Sequence, residues 1–306
     1  MSKTAFLFPG QGAQKVGMGK DLYDHFDRAR DLFKIADDCL GYSLSRICFE
    51  GPEEELILTE NTQPALLVVS TIIFELLGIK PDMAAGHSLG EYSALVAAKA
   101  LTFEDAICLV HKRGKYMQEA VPVGEGAMAA ILGFTYKSVA DALSRVQNGV
   151  VEIANWNSEE QIVIAGHDHA VKEALNILKP PRSVILPVSA PFHCRLMQSA
   201  EEKLSADLEE VVFKDLEFPV VTNVDAELIR TGDEARNALK RQVTRSVLWF
   251  KSMNILSREM IAMCVELGSG KVLSGLLKRI SRKWEKPPDV IHVEDSLGLE
   301  NARQVL

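Results

Sequence analysis

Cysteine is scarce in this chain of 306 residues, and its few positions show no pairing pattern. The five cysteines are odd in number and never occur as C-x-x-C; they are Cys39, Cys48, Cys108, Cys194 and Cys264. A disulfide framework needs an even set of cysteines, and structural zinc sites use closely spaced pairs. The sequence therefore predicts a cytoplasmic protein without disulfides or a metal site.

Positive charge and long apolar runs are lacking as well. Lys and Arg number 34 against 42 Asp and Glu, so the formal net charge is −8. An acidic chain is a poor match for nucleic acid, whose phosphates attract basic surfaces. The longest apolar stretch, 64–79, contains Glu75 and is too short to cross a bilayer, and no signal peptide is visible. We therefore expect neither nucleic acid nor a membrane as a partner.

The chain does contain Gly86-His87-Ser88-Leu89-Gly90, which matches the G-x-S-x-G nucleophile elbow. The segment 81–85 before it predicts a short buried strand, and the Ala- and Leu-rich segment 88–99 predicts a helix. In such an elbow the serine occupies a strained turn, and side chains at positions 86 and 90 would collide with the neighbouring strand and helix. The pattern favours Ser88 as a nucleophile. The alternative is a tight turn in which Ser88 only caps the helix.

The order of predicted elements indicates an α/β protein. A strand at 4–8, helices at 27–40, 64–77 and 103–119, and further strands at 218–222, 261–267 and 290–293 fit an open parallel sheet. Helices are also predicted at 233–242 and 271–284. From 127 to 187 the predicted order is β-α-β-β-α-β, which is typical of a ferredoxin-like unit. We therefore predict an insert within the larger α/β domain.

A glycine-rich loop, Pro9-Gly10-Gln11-Gly12-Ala13-Gln14, follows the first predicted strand. Ligands bind at the carboxyl ends of strands in open α/β sheets. The loop is not a phosphate-binding P-loop, because no G-K-[ST] follows it. A ligand-binding loop and a plain strand-to-helix turn both remain open on the spacing alone.

Arg113 lies at the edge of the apolar face of the helix predicted over 103–119, which begins after the N-cap residue Thr102. A guanidinium at that border needs an anionic partner, and its planar fork fits a carboxylate with two hydrogen bonds. A structural salt bridge and a snorkelling side chain are the alternatives.

A serine nucleophile needs a base, and seven histidines compete for that role. His193 follows the rigid Pro191 at the junction of the two predicted domains, where a cleft would form. His292 lies near the C-terminus, where α/β-hydrolases carry their histidine. The residues alone leave His193 and His292 open, and Cys194 is interpreted as a packing residue.

Five motifs occur along the chain: Phe8-Pro9-Gly10-Gln11-Gly12-Ala13-Gln14, Gly86-His87-Ser88-Leu89-Gly90-Glu91, Gln118-Glu119-Ala120 with Gly126-Ala127-Met128-Ala129-Ala130, Pro187-Val188-Ser189-Ala190-Pro191-Phe192-His193 and Gly270-Lys271-Val272-Leu273. With these motifs in this order, the chain resembles the bacterial malonyl-CoA:acyl carrier protein transacylases of fatty-acid synthesis from Thr4 to about Arg282. The chain departs from the usual family pattern at Ser269 and Glu159, and both departures concern the conformation of loops rather than the chemistry.

The resemblance implies a role for six residues of this chain. They are the nucleophile Ser88, the base His193, Gln11 and Leu89, whose backbone N–H groups form the oxyanion hole, the carboxylate-binding Arg113, and Gln242, whose backbone carbonyl orients the histidine. The resemblance also implies an α/β-hydrolase-like catalytic domain, 1–123 and 192–306, with a small ferredoxin-like insert, 124–191. Malonyl-CoA and acyl carrier protein would be the partners, no cofactor would be needed, and we predict a monomer.

A basic stretch near the C-terminus is a candidate docking patch for the acidic carrier protein, or an ordinary solvated helix face. It comprises Lys271, Lys278, Arg279, Arg282, Lys283 and Lys286. Three rival functions remain: a serine thioesterase or hydrolase that uses Ser88 with His292, a discrete polyketide-type acyltransferase, and a non-catalytic module that binds carrier protein.

Overall fold

The computed structural model describes residues 2–188 and 190–306, and the strands in those residues form two sheets. The strands are β1 Thr4–Phe8, β2 Met83–Gly86, β3 Gly126–Leu132, β4 Val151–Ser158, β5 Gln161–His167, β6 Arg182–Ile185, β7 Val220–Val221, β8 Leu228–Ile229, β9 Met263–Leu267 and β10 Asp289–Val293. Ser189, part of the fourth family motif, lies outside the described residues.

Helices of very different length connect these strands. They are α1 Lys20–His25, α2 Asp27–Leu40, α3 Leu44–Glu50, α4 Glu53–Leu56, α5 Thr59–Leu77, α6 Leu89–Ala97, α7 Phe103–Glu119, α8 Tyr136–Leu143, α9 Asp168–Leu178, α10 Gln198–Glu210, α11 Gly232–Gln242, α12 Trp249–Arg258, α13 Val272–Ile280 and α14 Ser296–Val305. None of the helices in the described residues is long and apolar enough to cross a membrane.

The larger sheet has the strand order β10-β9-β1-β2-β7-β8. Its first five strands run parallel, and β8 pairs antiparallel with β7. Phe6 and Phe8 of β1 pack into one apolar cluster with α5, while Ala5 and Leu7 face a second cluster with α12 and α13. Because helices cover both faces of a mostly parallel sheet, the protein has an α/β fold, as the sequence predicts.

The carboxyl ends of β1 and β2 meet near the middle of this sheet. Phe8 is in register with Gly86, and the N–H of His87 donates to the carbonyl of Phe8 at 3.0 Å. The glycine-rich loop and the elbow therefore begin side by side at the edge where α/β sheets bind ligands.

The smaller sheet is antiparallel, with the order β4-β5-β3-β6, and an apolar cluster lies between it and α8 and α9. Its elements follow the chain as β-α-β-β-α-β, the predicted order. Val247, just before α12, exchanges backbone hydrogen bonds with β4: it donates to Ala154 at 2.8 Å and accepts from Trp156 at 2.9 Å. That residues 124–191 form a domain of their own stays a prediction.

Several predicted elements have other bounds in the structure: α5 begins at Thr59 rather than at 64, α6 ends at Ala97 rather than at 99, and two more elements are markedly shorter. The strand predicted at 218–222 is only β7, because Pro219 has no N–H to donate to the sheet. The helix predicted at 271–284 is α13 followed by a 3-10 turn, Ser281–Lys283. The buried Glu266 of β9 accepts hydrogen bonds from the N–H groups of Leu273 and Ser274, so it supplies the cap for this helix.

The two glycines of the elbow lie where no side chain fits. A Cβ at Gly86 would lie 1.9 Å from the backbone of Gly90, and a Cβ at Gly90 would lie 2.0 Å from the carbonyl oxygen of Phe8. The start of α6 thus packs directly on the β1 and β2 backbones, as the elbow motif predicts.

We predict that Gly86→Ala lowers the free energy of unfolding by about 3 kcal/mol or more, because backbone rather than a flexible side chain blocks the new methyl group. The matched control is Gly275→Ala, in the exposed middle of α13, where nothing lies within 4 Å of the new Cβ. That variant should gain up to about 1 kcal/mol. Urea unfolding measures both, and equal midpoints for the two variants would contradict the prediction.

Candidate active site

Ser88 lies in the turn between β2 and α6 with φ 51° and ψ −107°. Positive φ is strained for a residue with a side chain, so surrounding contacts must hold the turn. Asn223, which follows β7, provides two of them. Its Oδ1 accepts a hydrogen bond from the Ser88 N–H at 2.6 Å, and its Nδ2 donates to the Gly86 carbonyl at 2.7 Å.

The side chain of His193 reaches Ser88. Its Nε2 lies 2.7 Å from Ser88 Oγ, and its Nδ1 lies 2.8 Å from the backbone carbonyl of Gln242. A carbonyl oxygen only accepts hydrogen bonds, so Nδ1 carries the proton and Nε2 presents its lone pair to the serine hydroxyl. Hydrogen bonding thus selects the tautomer that accepts a proton from Ser88.

The Gln242 carbonyl is available for this contact because Gln242 is the last residue of α11. The last carbonyls of a helix have no intrahelical partner and carry partial negative charge, which suits an imidazole N–H. The pKa of His193 is lowered to about 3, mainly by burial and then by the charge of Arg113, while the hydrogen bond to Gln242 opposes the shift. His193 is therefore neutral near pH 7.

The other histidine candidate lies elsewhere. His292 is in β10, in register with Glu266, at the far edge of the large sheet. Three strand spacings separate β10 from β2, or about 14 Å at the usual distance between strands. His87 turns away from the dyad: its Nε2 bonds Asn157 Oδ1 at 2.9 Å and its ring lies 5.3 Å from that of Trp249. Cys194 is buried.

Arg113 is buried beside the serine, with an exposed fraction of 1%. Its Nη1 donates to Gln63 Oε1 at 2.8 Å, and its Nη2 donates to Gln242 Oε1 at 2.9 Å and to Ser88 Oγ at 3.1 Å. All three acceptors are neutral. Arg113 forms no salt bridge with the described residues and does not reach the surface, so neither the structural salt bridge nor the snorkelling side chain describes it.

The position of Arg113 depends on the glycine that follows it. A Cβ at Gly114 would lie 2.6 Å from the carbonyl oxygen of Thr59, the first residue of α5. Without that side chain, α7 packs closely on the start of α5, which brings the guanidinium to Gln63. Burial lowers the pKa of Arg113, and Tyr92 and Glu91 oppose the shift. Since arginine remains protonated in proteins, the site holds a desolvated cation that suits a carboxylate.

Leu89 follows the serine directly, and Gln11 lies in the loop after β1. Leu89 is the first residue of α6, so its N–H has no partner within the helix, whereas the Ser88 N–H is already bonded to Asn223. The loop that carries Gln11 packs against the elbow, since a Cβ at Gly10 would lie 2.3 Å from the His87 carbonyl oxygen. The structure therefore brings Ser88, Leu89, His193, Arg113 and Gln242 together, and the loop that carries Gln11 packs against the same elbow.

Three further residues of this site were not predicted: Gln63, Asn223 and Glu91. Glu91 is fully buried in α6, and its Oε2 accepts from Gln242 Nε2 at 2.8 Å and from the Asn223 N–H at 2.9 Å. Burial raises the pKa of Glu91 to about 7, although the bonds from Gln242 and Asn223 oppose the shift. Glu91 and Gln63 could have been suspected from the sequence, because each is a polar residue within an apolar helix. Asn223 had no such signal.

The arrangement of Ser88, His193 and Arg113 supports nucleophilic acyl chemistry on a substrate that carries an anion close to its reacting carbonyl. Within residues 2–188 and 190–306, no group of three or more His, Cys, Asp or Glu could hold a metal ion.

Comparison with known proteins agrees with this chemistry. The sequence model of the acyl transferase domain family matches residues 5–255. Malonyl CoA-acyl carrier protein transacylase of Bacillus subtilis is 46% identical over 314 residues, which cover 100% of this chain and 98% of that protein.

Two solved structures share the whole fold. A malonyl-transacylase in complex with a type II polyketide synthase acyl-carrier protein has a TM-score of 0.96 at 41% identity, with 100% of both chains covered. The malonyl CoA-acyl carrier protein transacylase of Coxiella burnetii has a TM-score of 0.95 at 39% identity, with 99% of this chain and 97% of that chain covered. With this fold and this serine–histidine–arginine arrangement, the chain belongs to the acyl transferase domain family and, within it, to the malonyl CoA-acyl carrier protein transacylases.

Proposed function

We propose that this enzyme transfers the malonyl group of malonyl-CoA to the phosphopantetheine thiol of acyl carrier protein through a malonyl-Ser88 intermediate. The observation that carries the proposal is the buried guanidinium of Arg113, which has only neutral acceptors and lies 3.1 Å from Ser88 Oγ. The relatives, a malonyl CoA-acyl carrier protein transacylase and a malonyl-transacylase in complex with an acyl-carrier protein, support the same donor and acceptor.

In the first half-reaction His193 Nε2 takes the proton of Ser88 Oγ while the oxygen attacks the thioester carbonyl. The oxyanion that forms is bound by the backbone N–H groups of Gln11 and Leu89; one such donor contributes about 3 kcal/mol in other enzymes. The carbon–sulfur bond then breaks, and His193 returns the proton to the departing thiolate of coenzyme A. Malonyl-Ser88 remains.

In the second half-reaction the thiol of the carrier protein enters the same position. His193 takes the thiol proton, the sulfur attacks the ester carbonyl of malonyl-Ser88, and the proton returns to Ser88 Oγ as the ester bond breaks. Both steps need only proton transfer and electrostatic stabilisation from this chain, so we propose that no metal or redox cofactor takes part.

Arg113 provides the selection for malonyl over acetyl groups. The free carboxylate of malonate accepts hydrogen bonds from a guanidinium that is otherwise desolvated, whereas an acetyl group leaves that charge without an anion. An unpaired buried polar group costs about 1–3 kcal/mol, and more when it is charged.

Location and oligomeric state are further parts of the proposal. A cytoplasmic location is supported by the five cysteines, all of which are free. We also propose a monomer; the chain by itself exposes 13294 Å², the surface of a compact fold. A compact monomer of this mass is expected to expose about 12,700 Å².

The first test is intact mass after brief incubation with malonyl-CoA or acetyl-CoA. We expect a malonyl adduct on the wild type, its discharge by carrier protein, no adduct on Ser88→Ala, and little adduct with acetyl-CoA. In Arg113→Ala the malonyl adduct should form at least about tenfold more slowly, because the carboxylate loses its partner.

Lys112→Ala is the matched control for that variant, since Lys112 pairs with Asp207 at the surface. It should acylate like the wild type. Steady thioester hydrolysis without an adduct would instead favour a hydrolase, and equal losses on both donors in Arg113→Ala would remove the role of this arginine.

A second prediction concerns the base. A neutral fluorophosphonate should label Ser88 at a rate that changes little from pH 5.5 to 8, because the pKa of His193 is lowered to about 3 and its base form dominates throughout. His193→Ala should label about 100-fold more slowly. His292→Ala is the control and should label like the wild type; a loss in that variant would point to the other histidine.

A third prediction concerns the carrier protein. Lys278 and Arg279 are exposed on α13, beside a cavity of about 410 Å³ that the β4–β5 turn shares with this helix. Reversing both charges with Lys278→Glu and Arg279→Glu should raise the KM for carrier protein about fivefold and leave the KM for malonyl-CoA unchanged. The control reverses Lys20 and Lys34, which are exposed on α1 and α2. An unchanged KM for carrier protein would exclude this patch.

A further inference from the structure

Glu91 is a fully buried carboxylate in the first turn of α6, three residues after Ser88. Its Oε2 accepts two hydrogen bonds, from Gln242 Nε2 at 2.8 Å and from the Asn223 N–H at 2.9 Å. Its Oε1 has no hydrogen-bond partner. The acyl-transfer steps described above do not use this side chain, and a buried carboxylate without a direct cation is costly.

The side chain of Gln242 lies between this carboxylate and Arg113. Its Nε2 donates to Glu91 and to the Ser88 carbonyl at 3.1 Å, and its Oε1 accepts from Arg113 Nη2 at 2.9 Å. An amide has one donor end and one acceptor end. Because Glu91 can only accept when ionised, it holds the donor end toward itself, and the acceptor end must then face the guanidinium. A reversed amide would point N–H groups at Arg113.

We propose that Glu91 is a positioning residue for malonyl selection, because it fixes the Gln242 amide that holds Arg113 Nη2 beside Ser88. The inference rests on the proposed function of Arg113 as the group that binds the malonyl carboxylate. It assigns Gln242 two separate contributions: the backbone carbonyl orients His193, and the side chain orients Arg113.

The same geometry limits how strongly Glu91 neutralises Arg113. The amide of Gln242 separates the two charges, so the guanidinium forms no direct ion pair and remains able to bind a second carboxylate. When malonyl-CoA binds, a second carboxylate approaches the cation that already faces Glu91 across the Gln242 amide, and two nearby carboxylates favour protonation of one of them. Glu91 is the carboxylate that can take this proton at its unpartnered Oε1.

The groups that face Glu91 agree with titration near neutral pH. Arg113 on α7 lowers the pKa of Glu91, Asp225 after β7 raises it, and burial, the largest cause, brings it to about 7. Arg241 on α11 pairs with Asp225 at the surface. As pH rises through this range, ionised Glu91 repels the incoming carboxylate. The KM for malonyl-CoA should therefore rise between pH 6 and 8.5.

Two substitutions separate the hydrogen bonds of Glu91 from its charge. Glu91→Gln keeps an acceptor oxygen for Gln242 and Asn223 but cannot ionise, whereas Glu91→Leu removes the acceptor. We expect Glu91→Leu to slow acylation by malonyl-CoA at least tenfold, while labelling of Ser88 by a neutral fluorophosphonate stays within twofold. Glu91→Gln should restore most of the malonyl rate and abolish the rise of KM with pH.

Glu266→Gln is the matched control, since Glu266 is also fully buried but caps α13 away from the dyad. It should lower the unfolding midpoint and leave the ratio of malonyl acylation to fluorophosphonate labelling unchanged. Equal loss of both reactions in Glu91→Leu, or a wild-type pH dependence of KM in Glu91→Gln, would overturn this inference alone. A wild type that labels with fluorophosphonate yet forms no malonyl adduct would overturn the proposed function, and this inference with it.

Discussion

The site depends on how closely the backbone of the elbow approaches the strands beside it. The carbonyl oxygen of Phe8 lies where a Cβ of Gly90 would be, and the backbone of Gly90 lies where a Cβ of Gly86 would be. This contact fixes the start of α6 at the carboxyl ends of β1 and β2. Ser88 is held at positive φ, and Leu89 presents an N–H without a helical partner. The positions of the proposed nucleophile, Ser88, and of the proposed oxyanion donor, the Leu89 N–H, thus both follow from the close packing of the elbow backbone.

Gln242 joins the two halves of the chemistry. Its backbone carbonyl, free at the end of α11, orients the imidazole of His193, while its side-chain amide contacts both Arg113 and Glu91. The proposed base, His193, and the proposed carboxylate-binding residue, Arg113, are therefore both held by Gln242. A helix terminus takes the place of the acid that orients histidine in a Ser–His–Asp triad, and no further buried charge is needed beside His193.

The sequence predicted what depends on local pattern and left open what depends on long-range contact. Strand β1 and helices α2 and α7 occur at their predicted bounds, since apolar periodicity and the Thr102 cap specify them. Residues alone could not choose between His193 and His292, because strand order in the sheet decides the distance to Ser88. Asn223 was missed because its hydrogen bond to the Ser88 N–H joins residues 135 positions apart in the chain.

The charges of the site explain why a buried arginine suits a transferase that releases its acyl group. A direct partner carboxylate would stabilise Arg113 in the resting enzyme, and the malonyl carboxylate would then have to displace it. Neutral amides from Gln63 and Gln242 accept hydrogen bonds from Nη1 and Nη2 of the guanidinium without cancelling its charge. The buried carboxylate of Glu91, one amide away, weakens the field of that charge without occupying its binding face. Under the proposed function, this arrangement binds the malonyl group firmly enough for its selection over acetyl and loosely enough for its release to the carrier protein.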